Sequence, residues 1–296
     1  MLAALWGASF LFIRIGVAEF GVAPLMALRV SIGAAVLLVL LVAQKGASGA
    51  WQGARNKLWP LFVVGVLNSA APFCLFAYAE LTLSASLTSV INATTPLWGA
   101  LVAFLWLGDR LSGMRTTGLA LGFVGVLLLV WDPITAPVGA NGTPVPAATT
   151  ALAAGAALGA TALYGVAANY TKQYLSSVDS LIVATGSMVG ASIVLLPLAA
   201  WHWPVAAVSA HAWIAVLALG VACTGVAYKL YFHLLATAGP ARAMTVTFVI
   251  PVFGILWGTL FLAESVSAWM IEGCVVVLIG TALATGFIKR LRAQAS

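Results

Sequence analysis

The chain has 296 residues, of which 63% are hydrophobic and 7% charged. A soluble domain carries about 25% charged and about 45–50% apolar residues, and the cores of a chain this long could not hide so much apolar surface, so a water-soluble fold is excluded. Disorder is excluded too, because segments that stay unfolded are polar and charged. The 13 Lys and Arg against 7 Asp and Glu leave +6, too sparse and scattered for a phosphate-tracking patch, so no nucleic acid partner is expected.

A bilayer core about 30 Å thick needs about 20 apolar residues per helix. Taken in chain order, the apolar runs fall at 2–18, 24–43, 58–80, 85–106, 115–131, 151–172, 179–200, 211–236, 240–262 and 267–288. None alternates in polarity as barrel strands do. The expected fold class is therefore an all-α integral membrane protein with ten transmembrane helices. No cleavable signal peptide is expected, since the first run begins at Leu2 without a charged leader. The three cysteines, Cys74, Cys223 and Cys274, lie inside apolar runs and suit neither a disulfide framework nor a metal site.

The basic residues orient these helices. Lys45, Arg55, Lys57, Arg110, Arg115, Lys172, Arg242, Lys289, Arg290 and Arg292 all fall in alternate connections or at the C-terminus, and the opposite connections hold no Lys or Arg. By the positive-inside rule both termini face the cytoplasm. Trp51, Trp59, Trp106, Trp131, Trp201, Trp203 and Trp213 lie near helix ends, as interfacial anchors should.

Displacing the sequence by 155 brings out a repeat. Pro96, Gly99, Asp109, Ser112, Gly118 and Gly125 fall on Pro251, Gly254, Glu264, Ser267, Gly273 and Gly280. Residues 1–131 and 151–296 then form two five-helix repeats joined by an outside linker, 132–150. Five is odd, so the second repeat enters the membrane inverted. Such repeats place a binding site near the midplane at their interface, with alternating access around it.

The motifs Leu5-Trp6-Gly7-Ala8-Ser9-Phe10 with Arg14, Ala27-Leu28-Arg29, Thr95-Pro96-Leu97 to Gly108-Asp109 and Ile250-Pro251-Val252 to Ala263-Glu264 resemble the drug/metabolite transporter superfamily, in particular its EamA-type exporters. The resemblance covers nearly the whole chain. Length and aromatic content are similar to YddG-type exporters of aromatic amino acids and related metabolites. It implies a secondary transporter in a bacterial-type plasma (inner) membrane that exports small organic metabolites, amino acids included. The implied partners are a small-molecule substrate and membrane lipid, with the chain acting as a monomer and needing no cofactor or metal.

Proline inside a helix frees the carbonyl four residues before it. Pro96 frees that of Asn92 and Pro251 that of Thr247, so both helices are expected to kink near the midplane. Thr94, Thr95 and Thr245 bring hydroxyls nearby. These groups either satisfy the broken ladder or line a cavity, and the two roles are compatible.

Charges within spans are functional candidates. Arg14, Arg29 and Glu272 are expected to pair with Glu19 and Glu80 towards the outer surface. Lys229 has no evident acidic neighbour; it either snorkels to the interface or faces the cavity. His233 shares its helix face, and the displacement by 155 sets Cys74 and Tyr78 opposite this pair. An ammonium suits a substrate carboxylate and an aromatic ring suits the rest. Trp6, Ser9 and Phe10 on the first helix, and Tyr164 with Asn169 and Tyr170 on the sixth, complete the candidate lining. With Lys229, His233 and Tyr78 the only centrally placed titratable groups, facilitation or exchange is favoured over a carboxylate proton pump. A channel is the competing class. Motifs for a zinc protease, a serine hydrolase, an aspartyl dyad or a Walker loop do not occur.

Overall fold

In hydrocarbon a backbone finds no water, so a spanning chain must close its hydrogen bonds internally. The computed structural model describes residues 1–135, 144–243 and 245–286, and among them the chain does this with helices. They are α1 (Leu2–Phe20), α2 (Val22–Ala54), α3 (Leu58–Gly65), α4 (Ala71–Ala79), α5 (Ala85–Asn92), α6 (Thr95–Leu107), α7 (Gly113–Thr135), α8 (Ala147–Tyr174), α9 (Ser180–Trp201), α10 (Ala210–Leu217), α11 (Ala227–Ala243), α12 (Thr245–Leu262) and α13 (Ala268–Ala284). Eight helical stretches among the described residues are long and apolar enough to cross a membrane; α13 is apolar but shorter. The linker is described only at 132–135 and 144–150. Lys289, Arg290, Arg292, the final residues 287–288 of the tenth expected span and the side chain of Arg242 lie outside the described residues.

One crossing-length stretch, Val22–Ala79, holds 58 residues, about 87 Å of helix at 1.5 Å per residue and far beyond one bilayer core. It divides at Gly46, whose φ of 69° is a left-handed value suited to glycine. The connection 44–57, between the second and third expected runs, is thus mostly helical. Its short polar helix is held by Ala50, which is buried, while Trp51 stays exposed. All seven tryptophans expected at helix ends are exposed.

Three helix starts take a carboxylate from elsewhere or nearby, which satisfies free N–H groups at the positive end of the dipole. Glu19 accepts from Ser209 N and Oγ, both at 2.7 Å, ahead of α10. Asp179 accepts from Leu181 N at 2.9 Å and pairs with Lys45 at 2.9 Å. Burial raises the Asp179 pKa, but Lys45 and the Leu181 and Ile182 N–H groups outweigh it and hold the carboxyl below its ordinary value. Glu264 caps α5. Of the carboxylates expected to pair with Arg14 and Arg29, Glu19 caps α10 instead and Glu80 meets Arg14 through its main-chain carbonyl; among the described residues the ion pairs are Lys45–Asp179 and Lys172–Asp109.

Two buried clusters build the core. One joins α1, α2, α3, α4, α9 and α10; the other joins α1, α4, α5, α7, α8, α12 and α13. Tyr164 of α8 packs against both. Glycines set the closest approaches: a Cβ on Gly118 or Gly280 would strike the facing backbone of α13 or α7, and one on Gly186 or Gly190 would meet Leu61 or Phe62. Gly155, by contrast, faces open space. Gly280→Val should lower stability by about 1–3 kcal/mol, the usual cost of overpacking, whereas Gly155→Ala should be neutral or stabilising. Thermal unfolding in detergent reads both, and a Gly280→Val protein as stable as the parent would contradict the α7–α13 contact.

Candidate functional site

Two helices leave the α-helical register midway. Val66–Ala70, between α3 and α4, and Ala218–Val226, between α10 and α11, are π-helical. Adding 155 to 66–70 gives 221–225, inside the second segment. Pro72 accounts for the first, because without an N–H it leaves the carbonyl of Asn68 without its α-helical donor. In the second, Thr224 Oγ1 donates to Leu219 O, five residues back, at 2.8 Å. Such bulges are rare and gather at functional sites.

The second bulge and the helix that follows the first meet one side chain. Arg29 of α2 is 6% exposed. Its Nε donates to Thr224 Oγ1 at 3.4 Å, and its guanidinium carbon lies 3.8 Å from the centroid of the Phe73 ring. Tyr164, Cys223 and Tyr228 are close enough to feel its charge, and Asn68 lies beside the Tyr228 phenol. A guanidinium carries five N–H donors. Among the described residues only Nε has a hydrogen-bond acceptor, and Arg29 has no carboxylate within ion-pair distance. A buried, aromatic-flanked cation with free planar donors is suited to a carboxylate, which guanidinium binds in bidentate fashion.

Several expected residues stand around this cluster. The Phe10 and Phe76 rings meet edge to face at 5.7 Å, and Phe76 lies 5.9 Å from Tyr164. Ser9 sits beside the Cys223 thiol, and Trp6 packs 5.4 Å from Tyr231. Cys74 is half-buried against the first cluster. Asn169 joins α8 to α6, its Nδ2 donating to Gly99 O at 2.9 Å.

Others fall elsewhere. Lys229 and His233 are exposed, in one stripe with the exposed apolar residues Ile214, Leu217, Val221 and Val226. The bulge explains the departure: its extra residue turns Thr224 and Tyr228 towards Arg29 and leaves Lys229 on the outer face, a place that fits snorkelling. Tyr78 is 42% exposed and lines an open groove with Leu75, Ala151 and Leu152, so it does not meet Lys229 or His233 across a shared cavity. The two prolines sit differently in their helices. Around Pro96 the helix breaks fully at Ala93–Thr94, and Pro96 enters the first turn of α6, where a missing N–H costs nothing. Thr95 Oγ1 donates to the freed Asn92 carbonyl at 2.8 Å, and Thr94 Oγ1 to Ile91 O at 2.8 Å and Thr161 Oγ1 at 3.2 Å. Pro251 instead lies buried within an unbroken α12 that begins two residues before Thr247. Arg29 as the centre, with Asn68, Phe73, Thr224 and Tyr228, escapes sequence reasoning. The available signals are Pro72 and the lack of an acidic residue three or four positions from Arg29.

Between this site and one end of the bundle lies a seal. Glu264, beyond α12, accepts from Ala85 N at 2.7 Å, Ser86 N at 2.9 Å and Ser86 Oγ at 2.6 Å. Just below, a Cβ on Gly254 would strike Ser89 and one on Gly258 would strike Ser86, so α5 lies flush on α12. At the 155-related positions a Cβ on Gly99 would meet nothing within 4 Å, and Asp109 is bound to Lys172 at 3.7 Å on the surface. The clamp and close contact found between α5 and α12 are thus not repeated at these positions.

Apolar helices that cross a membrane around a buried, partly unsatisfied cation define an integral membrane protein built to receive a polar solute. The chain belongs to the EamA-like transporter family, which matches residues 1–131 and again 151–286. It is similar to the uncharacterized transporter YvbV of Bacillus subtilis, 24% identical over 81% of this chain and 76% of that one. It is also similar to a probable terminal-alkyne amino-acid exporter of Streptantibioticus cattleyicolor, 26% identical over 65% of this chain and 60% of the relative. A crystal structure shares the fold, with a TM-score of 0.67 at 21% identity, covering 98% of this chain and 96% of the other.

Hydrogen bonds to a charged group contribute about 1.5–3 kcal/mol each. Glu264→Ala should therefore speed hydrogen exchange at the Ala85 and Ser86 amides by about 10-fold or more, read by mass spectrometry. Unchanged protection of 85–92 would mean that α5 is held without the clamp.

Proposed function

We propose that this protein is a secondary transporter that exports small carboxylate-bearing metabolites, amino acids including aromatic ones, by alternating access around Arg29. The carrying observation is that guanidinium, buried over Phe73 beside Tyr164 and Tyr228 with its terminal donors unsatisfied by the described residues. The carboxylate meets Arg29, and the aromatic walls hold the apolar remainder. The amino-acid exporter among its relatives supports the substrate class.

In this reading ten spans form two inverted five-helix repeats, 1–131 and 151–296, with both termini cytoplasmic. Dividing Val22–Ala79 at Gly46 and counting α13 brings the eight crossing-length stretches to ten. Support comes from the twofold match to the family and from the paired π segments. It comes also from two related joints: Gly7 of α1 packs on Phe253-Gly254 of α12, and Gly165 of α8 on Trp98-Gly99 of α6. The Glu264 end is then the outer end, and the molecule is open towards the cytoplasm. Reporter fusions at Ser48 and Gly142 should report opposite sides of the membrane; the same side for both would remove the inverted repeat.

The substrate test compares L-phenylalanine with phenethylamine, which lacks the carboxylate, in proteoliposome counterflow. Arg29→Gln should lower kcat/KM for phenylalanine by about 10-fold or more, the worth of one charge-assisted hydrogen bond. It should leave any phenethylamine flux unchanged, and Lys229→Met should transport phenylalanine normally. Equal loss for both solutes would show that Arg29 supports the fold and not the carboxylate.

A further inference from the structure

The sealed end holds a group that solute binding does not use. Glu80 comes directly after α4 and is 0% exposed, and neither of its carboxylate oxygens has a hydrogen-bond partner among the described residues. Its main-chain carbonyl is occupied, since Arg14 Nη1 donates to it at 2.5 Å. The charged groups acting on the side chain are Arg14 of α1, Arg29 of α2 and Glu264 beyond α12. From α8, which also packs along α4, the titratable groups are Tyr164 at mid-helix and Tyr170, Lys172 and Tyr174 at the far end. Those on α4 itself are Cys74 and Tyr78.

A dry carboxylate without donors is far costlier than a neutral carboxyl in the same place. Arg14 and Arg29 favour the charged form, but neither lies within ion-pair distance of it among the described residues, and the nearby Glu264 carboxylate opposes it. The Glu264 oxygens are already engaged, accepting three hydrogen bonds from the start of α5. We propose that Glu80 is a proton-binding site that couples the Glu264 seal to protonation: the carboxylate takes one proton, COO⁻ + H⁺ → COOH, as this end closes, and returns it to water as the end opens. The inference rests on the alternating-access reading, and it replaces the expectation that the transporter lacks a buried carboxylate for coupling. The closed end binds the proton, so low pH favours closure and high pH favours opening, with the opening equilibrium rising about tenfold per pH unit above the Glu80 midpoint.

Two measurements on the full protein in lipid nanodiscs need no solute, so a failure to move phenylalanine would leave them intact. The first is difference infrared spectroscopy between wild type and Glu80→Gln. Wild type should show the C=O stretch of a protonated carboxyl at neutral pH, and the variant should lack it; absence of that band in wild type overturns the proposal. The second is hydrogen exchange at residues 85–92 across pH, corrected for intrinsic exchange. Wild type should lose protection as pH rises, and Glu80→Gln should stay protected throughout. A seal in wild type that ignores pH overturns the coupling even if the carboxyl is protonated. Should Glu80→Gln fail to fold, the wild-type band and its titration decide the matter alone.

Discussion

A polar group placed in hydrocarbon must find its partner within the chain or keep a path to water. That constraint orders this molecule. Thr94 and Thr95 return hydroxyls to the carbonyls where the helix breaks before Pro96. Glu19 and Glu264 each cross to another helix to cap its start. Among the buried charged side chains, Arg29 and Glu80 stand out. The first keeps unused donors at the centre of the bundle, and the second has two unbonded oxygens at its closed end.

The closed end is made of small residues and one carboxylate. Ser86 and Ser89 of α5 lie three apart and Gly254 and Gly258 of α12 four apart, so both pairs face one seam, and Glu264 locks it from beyond the helix end. Such a seam is locked at its end by three hydrogen bonds, a clamp that suits the opening and reforming proposed for it. The α7–α13 contact is different in kind. There backbone meets backbone through Gly118, Gly122 and Gly280, with no polar clamp to release. The first is placed to move, and the second to stay.

Much of this is legible from residues alone. Apolar run lengths locate the helices, and the tryptophans expected at their ends are exposed there. Gly118, Gly122, Gly254 and Gly258 do serve packing within the chain, whereas Gly155 and Gly159 make no close approach to another backbone. Lys229 misleads for an identifiable reason. Periodicity assigns its face as though the helix were α-helical throughout, yet the segment before it is π-helical. Each such bulge adds about 100° of rotation to the residues beyond it. Position near a helix start assigns Arg29 to the outer surface, but a side chain of that length reaches inward to Thr224. Position alone likewise makes Glu80 a surface partner. Burial of a residue at a helix end depends on what the turn after it packs against, and that contact is between residues distant in sequence.

In the proposed reading, transport depends on the Arg29 guanidinium receiving the carboxylate of the solute. A structure determined with L-phenylalanine bound tests this most directly. It should show the carboxylate within hydrogen-bond distance of the Arg29 terminal nitrogens, and the ring lying between Phe73, Tyr164 and Tyr228. Phenylalanine bound with its carboxylate at Lys229, or with Arg29 still bonded only to Thr224, would contradict it.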